Sequence, residues 1–263
     1  LSLLFGATVY TFSLILAVFL IGLGIGSSLG AAIGRGLRRP RVAFGICQAL
    51  LCAAITWPAY LTTESLPFWP INPATAITPW FTMQLDLVLC LWAVLPAAIL
   101  WGASFPLALA SVASPGQDPA RLVGGVYAAN TVGAIIGSLA ASFVLVAWIG
   151  SQHAQQVLIV TSLLSALLVL TWGVADHEEM SLTARWLATG GLIVGAASAV
   201  LLARSVPEVP GVLIAYGRYT ATRSGQDKII YKDEGMMASV AVSEMPNGVL
   251  NYHNAGKIQA SSQ

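Results

Sequence analysis

Charge is what this sequence has least of. Only 9% of its 263 residues are Asp, Glu, Lys or Arg, against 57% hydrophobic ones, whereas a soluble domain carries about 25% charged side chains. So little charge cannot clothe a water-facing surface over most of the chain, and the mean hydropathy of +0.78 says the same. The formal net charge of +1 leaves no basic face for nucleic acid and no field for an acidic substrate. Cysteine is scarce too. Cys47, Cys52 and Cys90 lie in apolar tracts, at spacings that suit neither a zinc site nor a disulfide framework; they read as buried thiols, and no metal site is expected. The chain opens on Leu1 without a basic segment ahead of its first apolar run. No signal peptide is read, and the natural N-terminus is expected upstream.

The charges that exist are clumped at Arg35–Arg41, at Asp176–Glu179 and beyond Arg204, the distribution of a polytopic membrane protein. Reading for runs of about 20 apolar residues gives six expected spans, near 9–33, 42–62, 82–112, 122–148, 155–175 and 184–203. The third contains Pro96 and Pro106 and is expected to kink or tilt. Between the second and third, "TTESLPFWPINPATAITPWF" cannot be helical throughout; Trp69 and Trp80 read as interfacial anchors of a surface loop. The expected fold is all-α and polytopic over residues 1–204, followed by a small β domain over 205–263.

Gly22, Gly26, Gly30 and Gly34 recur every four residues in the first apolar run. Each would weaken a helix in water by about 1 kcal/mol. In lipid, where helices associate by close approach, such a ladder is a packing face. A second ladder, Ala129, Gly133, Gly137 and Ala141, follows in "AANTVGAIIGSLAASF". The two faces are expected to meet each other, or each another helix. Asn130, beside the second ladder, reads as structural glue between helices.

Four arginines after the first span place that loop in the cytoplasm, and parity then puts the segment after Arg204 on the outer face. There, "KIIYKDEGMMASVAVSEMPNGVLNYHNAGKIQASSQ" alternates polar and apolar residues around the turn signals "MPNGV" and "NAG". This predicts a β-meander of about three strands, with Ala238, Val240 and Val242 on one face. A sheet this small is marginal alone and is expected to lean on the helices, on a further domain or on a protein partner. His253 reads as a surface residue and Asp233-Glu234 as a turn. Among polar residues within the spans, Gln48, Gln84, Asp86 and Asn130 stand out. No Glu, Lys, Arg or His lies mid-span, which counts against a proton-coupled carrier. No phosphate loop and no nucleophile–base pair is recognisable.

Four stretches go further. "FGATVYTFSLILAVFLIGLGIGSSLGAAIGRGLRRPR", "VLPAAILWGASFPLALA", "GGVYAANTVGAIIGSLAASFVLVAWIG" and "ASVAVSEMPNGVLNYHNAGKIQAS" together make 105 of the 263 residues, spread from one end of the chain to the other. In that order they resemble the membrane-embedded branch of the spermidine synthase family, where a helical membrane region is fused to an aminopropyltransferase-like domain. The resemblance implies that the tail is the small N-terminal β domain of an aminopropyltransferase, with Gly256 and Gln259 as its Gly-x-x-Gln substrate element. Soluble members have Asp before that glycine; this chain has Ala255. It also implies transfer of an aminopropyl group from decarboxylated S-adenosylmethionine to a diamine. The nucleotide-binding and catalytic carboxylates of that chemistry would follow Gln263, so no residue here takes a catalytic role and no cofactor is expected in this chain. A bacterial cytoplasmic membrane is the expected location. The alternative expectation is a non-catalytic membrane scaffold or accessory subunit. A third is a transporter-like protein, from the likeness of "GAAIGRGLRRPR" to a loop of major-facilitator carriers.

Overall fold

The computed structural model describes residues 1–69, 78–114, 116–175, 182–235 and 237–263. The chain is 75% helical and ends in a small antiparallel sheet. A short α1 (Ser2–Phe5) leads into α2 (Val9–Gly36), α3 (Pro40–Tyr60), α4 (Pro79–Val112) and α5 (Pro119–Ala140). Residues 141–149 widen to a π-type helix, and α6 (Gly150–Ala175) and α7 (Leu182–Arg204) follow. Helices thus occupy all six expected places. Among the described residues, four stretches are long and apolar enough to cross a membrane: Val9–Gly36, Pro40–Phe68, Pro79–Val112 and Pro119–Thr171. The last, at 53 residues, would be about 80 Å of straight helix, more than twice a bilayer core. It is broken at Gly150, whose φ of 75° and ψ of 171° only glycine adopts readily. The apolar part of α7, Ala188–Arg204, is shorter than a span. The acidic cluster Asp176–Glu179 lies outside the described residues.

The first glycine ladder explains the core. Gly22, Gly26, Gly30 and Gly34 descend along α4 from Ala98 past Ile99 and Ala103 to Ala110, so α2 and α4 run parallel. A Cβ on Gly26 would overlap the Ile99 carbonyl oxygen, and one on Gly30 would come within 2.7 Å of the Ala103 oxygen. Gly102 answers from the other side, its face against the Leu23 backbone. Lipid offers no hydrophobic drive between helices, and backbone approach of this kind replaces it.

The prolines of α4 are part of the same joint. Pro96 and Pro106 each lack an N–H and so release the carbonyl four residues earlier. Those carbonyls are Trp92 and Gly102. The Trp57 indole of α3 donates to the first at 3.0 Å, and the Ser27 hydroxyl of α2 donates to the second at 3.1 Å. An α4 with both bonds met from neighbours obeys the rule that backbone groups in lipid must be satisfied within the protein. The third helix runs antiparallel, joined by Gln48 Nε2 to Ser104 Oγ at 2.5 Å and by Arg41 Nε to the Ser111 carbonyl at 3.0 Å. On its far side α6 lies along α3, with Leu170 over Gly45 and Cys52 Sγ near the Ile159 carbonyl.

The second ladder does not meet the first. No residue of α5 is buried, and a Cβ on Gly133 or Gly137 would meet nothing within 4 Å. Asn130 is exposed, and its side chain makes no hydrogen bond among the described residues. The expectation that this face closes on another helix is corrected among the described residues: small residues permit close approach, but sequence does not name the partner.

After α7 the chain makes short helical turns, α8 (Gly211–Tyr216), a 3-10 turn at Gly217–Tyr219 and α9 (Thr220–Arg223), before the sheet. Four strands, not three, follow in simple meander order: β1 (Lys228–Glu234), β2 (Ser239–Glu244), β3 (Leu250–Asn254) and β4 (Lys257–Ser261). The expected inner face is also corrected. Ala241 and Ser243 of β2 and Asn251 and His253 of β3 are buried against α8, while Val240 and Val242 are only half-buried. Hydrophobicity chose the wrong face because the true one is largely polar.

Gly26→Leu is expected to abolish assembly of the solubilised protein, whereas Gly133→Leu changes its stability by no more than about 0.5 kcal/mol. Thermal unfolding in detergent measures both, and equal tolerance of the two would contradict the arrangement of α2 on α4.

Candidate functional site at the junction of helices and sheet

Three helix ends converge beneath the sheet: α1, the start of α4 and the start of α6. Arg218, in the 3-10 turn after α8, reaches down to the first two of them. Its guanidinium donates to the Leu4 and Phe5 carbonyls at 3.2 and 3.0 Å, and to Asp86 Oδ2 at 3.1 Å. Asp86 is only 4% exposed, so the carboxylate expected near an interface is buried and paired with a half-buried arginine. Beside it, Gly217 has φ +53°, and a Cβ there would come 2.6 Å from the Leu3 carbonyl oxygen. The arginine can enter because glycine precedes it.

A second clasp joins β1 to α6. Glu234 ends β1 rather than making a turn, and its two oxygens accept from the backbone N–H and the hydroxyl of Ser151, at 2.8 and 3.0 Å. A carboxylate thus meets the positive, donor-rich start of α6 from another part of the chain. Gln152 Nε2 donates to the Val206 carbonyl at 2.9 Å, and Lys232 pairs with Glu208 at 2.8 Å. Between these groups lies a cavity of about 510 Å³, lined by Trp148, Gln152, His153, Glu208, Lys232 and Glu234 among others. Among the described residues no cluster of three or more His, Cys, Asp or Glu could hold a metal ion.

Inside the sheet, Ser243 and His253 share a hydrogen bond of 2.8 Å to Nε2. Tyr216 donates to Asp227 and stacks edge-on to the His253 ring at 5.0 Å. Serine, histidine and aspartate invite comparison with a hydrolytic triad, but Ser243 and His253 are both fully buried. Asp227 serves Tyr216, so the third position is not filled and no substrate can reach the serine. This network is core. Burial pushes the His253 pKa below its ordinary 6.5, against weaker upward pulls from the Ala215 backbone and Asp227. Burial, then the bond to Asp227, raises that of Tyr216. The histidine expected at the surface is therefore a neutral core residue. Because its folded pKa is depressed, its contribution to stability is whole above pH 6.5 and is lost as pH falls through the folded value.

The expected substrate element falls elsewhere. Ala255 and Gly256 form the two-residue β3–β4 turn, both left-handed at φ 48° and 87°, as a type I′ hairpin requires. Gly256 donates its N–H to the Ile214 carbonyl at 2.9 Å, and a Cβ there would meet Gly217 Cα at 3.1 Å. Gln259 is exposed on β4, the outer strand. The structure does not gather Gly256 and Gln259 into a pocket among the described residues. Of the polar span residues, Gln48 is bonded to Ser104, Gln84 is exposed and Asp86 is neutralised by Arg218. Sequence reading missed Arg218, Ser151 and Glu234. Its one usable signal was "GVLIAYGR", an apolar helical turn closed by glycine and a lone arginine.

The sheet and the basic loop occupy opposite ends of the bundle. Arg218 meets α4 at Asp86 and Arg41 meets it at Ser111, and the residues between make about 37 Å of helix. In comparison with known families, curated proteins and solved structures, nothing matches this chain.

Arg218→Gln leaves Asp86 buried and unpaired, a cost of about 3 kcal/mol, and the sheet should then detach. Limited proteolysis between β2 and β3 at pH 7.5 is expected to cleave this variant and spare the wild type. The wild type becomes cleavable only as pH falls below 6.5. Equal protection of both proteins at every pH would contradict the clasp and the histidine assignment.

Proposed function

We propose that this chain is the membrane-embedded part and N-terminal β domain of a spermidine synthase-like protein, held in a bacterial cytoplasmic membrane. On this reading it is linked to aminopropyl transfer from decarboxylated S-adenosylmethionine to a diamine. It supplies none of the catalytic groups. The observation that carries the proposal is the four-stranded meander clamped on the bundle by Arg218 and Glu234, with its Gly-x-x-Gln stretch in the last hairpin. The outer strand β4 is exposed along its whole length. An exposed edge of this kind is ordinarily covered, and a following nucleotide-binding domain is the cover proposed. For the spans, 119–149 and 150–175 are taken as two crossings parted at Gly150, and α7 as a sixth.

A second reading, a non-catalytic scaffold or accessory subunit, draws on two other observations. The small-residue face of α5 is open, suited to a helix of another protein. The sheet also stands at the end opposite Arg35–Arg41. If that loop is cytoplasmic, the sheet is outside, away from a cytosolic donor.

Membranes carrying the whole gene product, given labelled decarboxylated S-adenosylmethionine and a diamine, are expected to transfer label, and Gln259→Ala to lose most of that activity. Ser262→Cys, probed in intact cells with an impermeant thiol reagent, reads the side in the same preparation. No transfer together with labelling from outside would overturn the enzyme-linked reading in favour of the scaffold.

A further inference from the structure

The basic end of the bundle carries a feature that no function above uses. A groove of about 540 Å³ lies between α3, α6 and α7, within the size range of ligand sites. Its walls include Val42, Ile46 and Leu50 of α3, Leu167 of α6, and Gly191 and Gly195 of α7. Apart from Arg39, its polar lining residues are Cys52 and Ser198, so a polar metabolite would find almost no hydrogen bonds along it. The glycines here behave unlike those of α2. A Cβ on Gly191 or Gly195 would meet nothing within 4 Å; the space above them belongs to no neighbouring helix.

Arg39 stands at one end of the groove, exposed at the start of α3; Arg38 is its neighbour in the short connection and Arg35 lies in the last turn of α2. From Arg39 to Cys52 the groove follows α3 for about 20 Å. That is the headgroup zone plus the depth of one leaflet of a roughly 30 Å core. We propose that this groove holds one acyl chain of an anionic phospholipid, with the lipid phosphate paired to Arg39. Depth, apolar walls and a cation at the mouth fit a lipid lying in its own leaflet, and basic pockets between membrane helices are known to select anionic headgroups. Bound there, the lipid fills the gap between α7 and α3 and ties α7 to the bundle.

The test uses the detergent-solubilised, delipidated chain, offered equal amounts of phosphatidylglycerol and phosphatidylcholine with identical acyl chains. Retained lipid is counted by native mass spectrometry. Wild type should keep one phosphatidylglycerol in preference to phosphatidylcholine. Arg39→Gln should cut that preference about fivefold, the weight of one arginine near an anionic surface. Gly195→Leu, which fills the groove where a side chain meets no neighbour, should lose both lipids. Equal retention of the two lipids by wild type would overturn the proposal, as would an unchanged preference in Arg39→Gln. Should Gly195→Leu fail to assemble, Arg39→Gln decides alone, since it alters only an exposed side chain. Excess inorganic phosphate should leave the lipid in place; displacement by phosphate would assign the site to a free anion and contradict it.

Discussion

The fourth helix is the member on which the rest of the structure leans, through its backbone. Two prolines free the Trp92 and Gly102 carbonyls, and side chains from α3 and α2 take them up. The glycines of α2 let its backbone lie on that of α4 at Ile99 and Ala103. A bilayer rewards such contact because it cannot drive helices together by expelling water and cannot hydrate a loose carbonyl. With α2, α3 and α4 fixed, the Phe5 carbonyl and the Asp86 carboxylate stand side by side at one end. Arg218 then closes them, and it carries the sheet with it.

How far this was legible from the residues depends on what each feature asks of its partner. The helices follow from the length of apolar runs, a local property. So does the glycine face of α2, whose spacing names a contact surface. The partner surface on α4 did not announce itself, because Ala98, Ile99, Ala103 and Ala110 form no conspicuous ladder. The reverse error occurred at Gly133 and Gly137, where a clear ladder meets nothing within 4 Å among the described residues. In the sheet, alternation located strands but misjudged their faces, since the inward row of Ser243, Asn251 and His253 is polar, with Ser243 bonded to His253 and to Tyr216. Asp86–Arg218 joins residues 132 apart in sequence, beyond any local pattern.

Several polar groups hold the sheet to the helices. Glu234 is held by the start of α6, Asp86 by Arg218, and Ser243 with His253 lies sealed in the sheet. What stays open is peripheral: the outer strand β4, the bare face of α5, and the groove beneath Arg39. The sheet thus stands at one end of the helical bundle, opposite the basic loop.

The most direct test of the account is an oxidative cross-link between α2 and α4. A Cβ at Gly34 would lie 3.2 Å from that of Ala110, close to the separation a disulfide spans. With Cys47, Cys52 and Cys90 replaced, the Gly34→Cys/Ala110→Cys protein should form an intramolecular disulfide in membranes, rapidly and almost completely. Free thiols, or bonds only between separate chains, would contradict it.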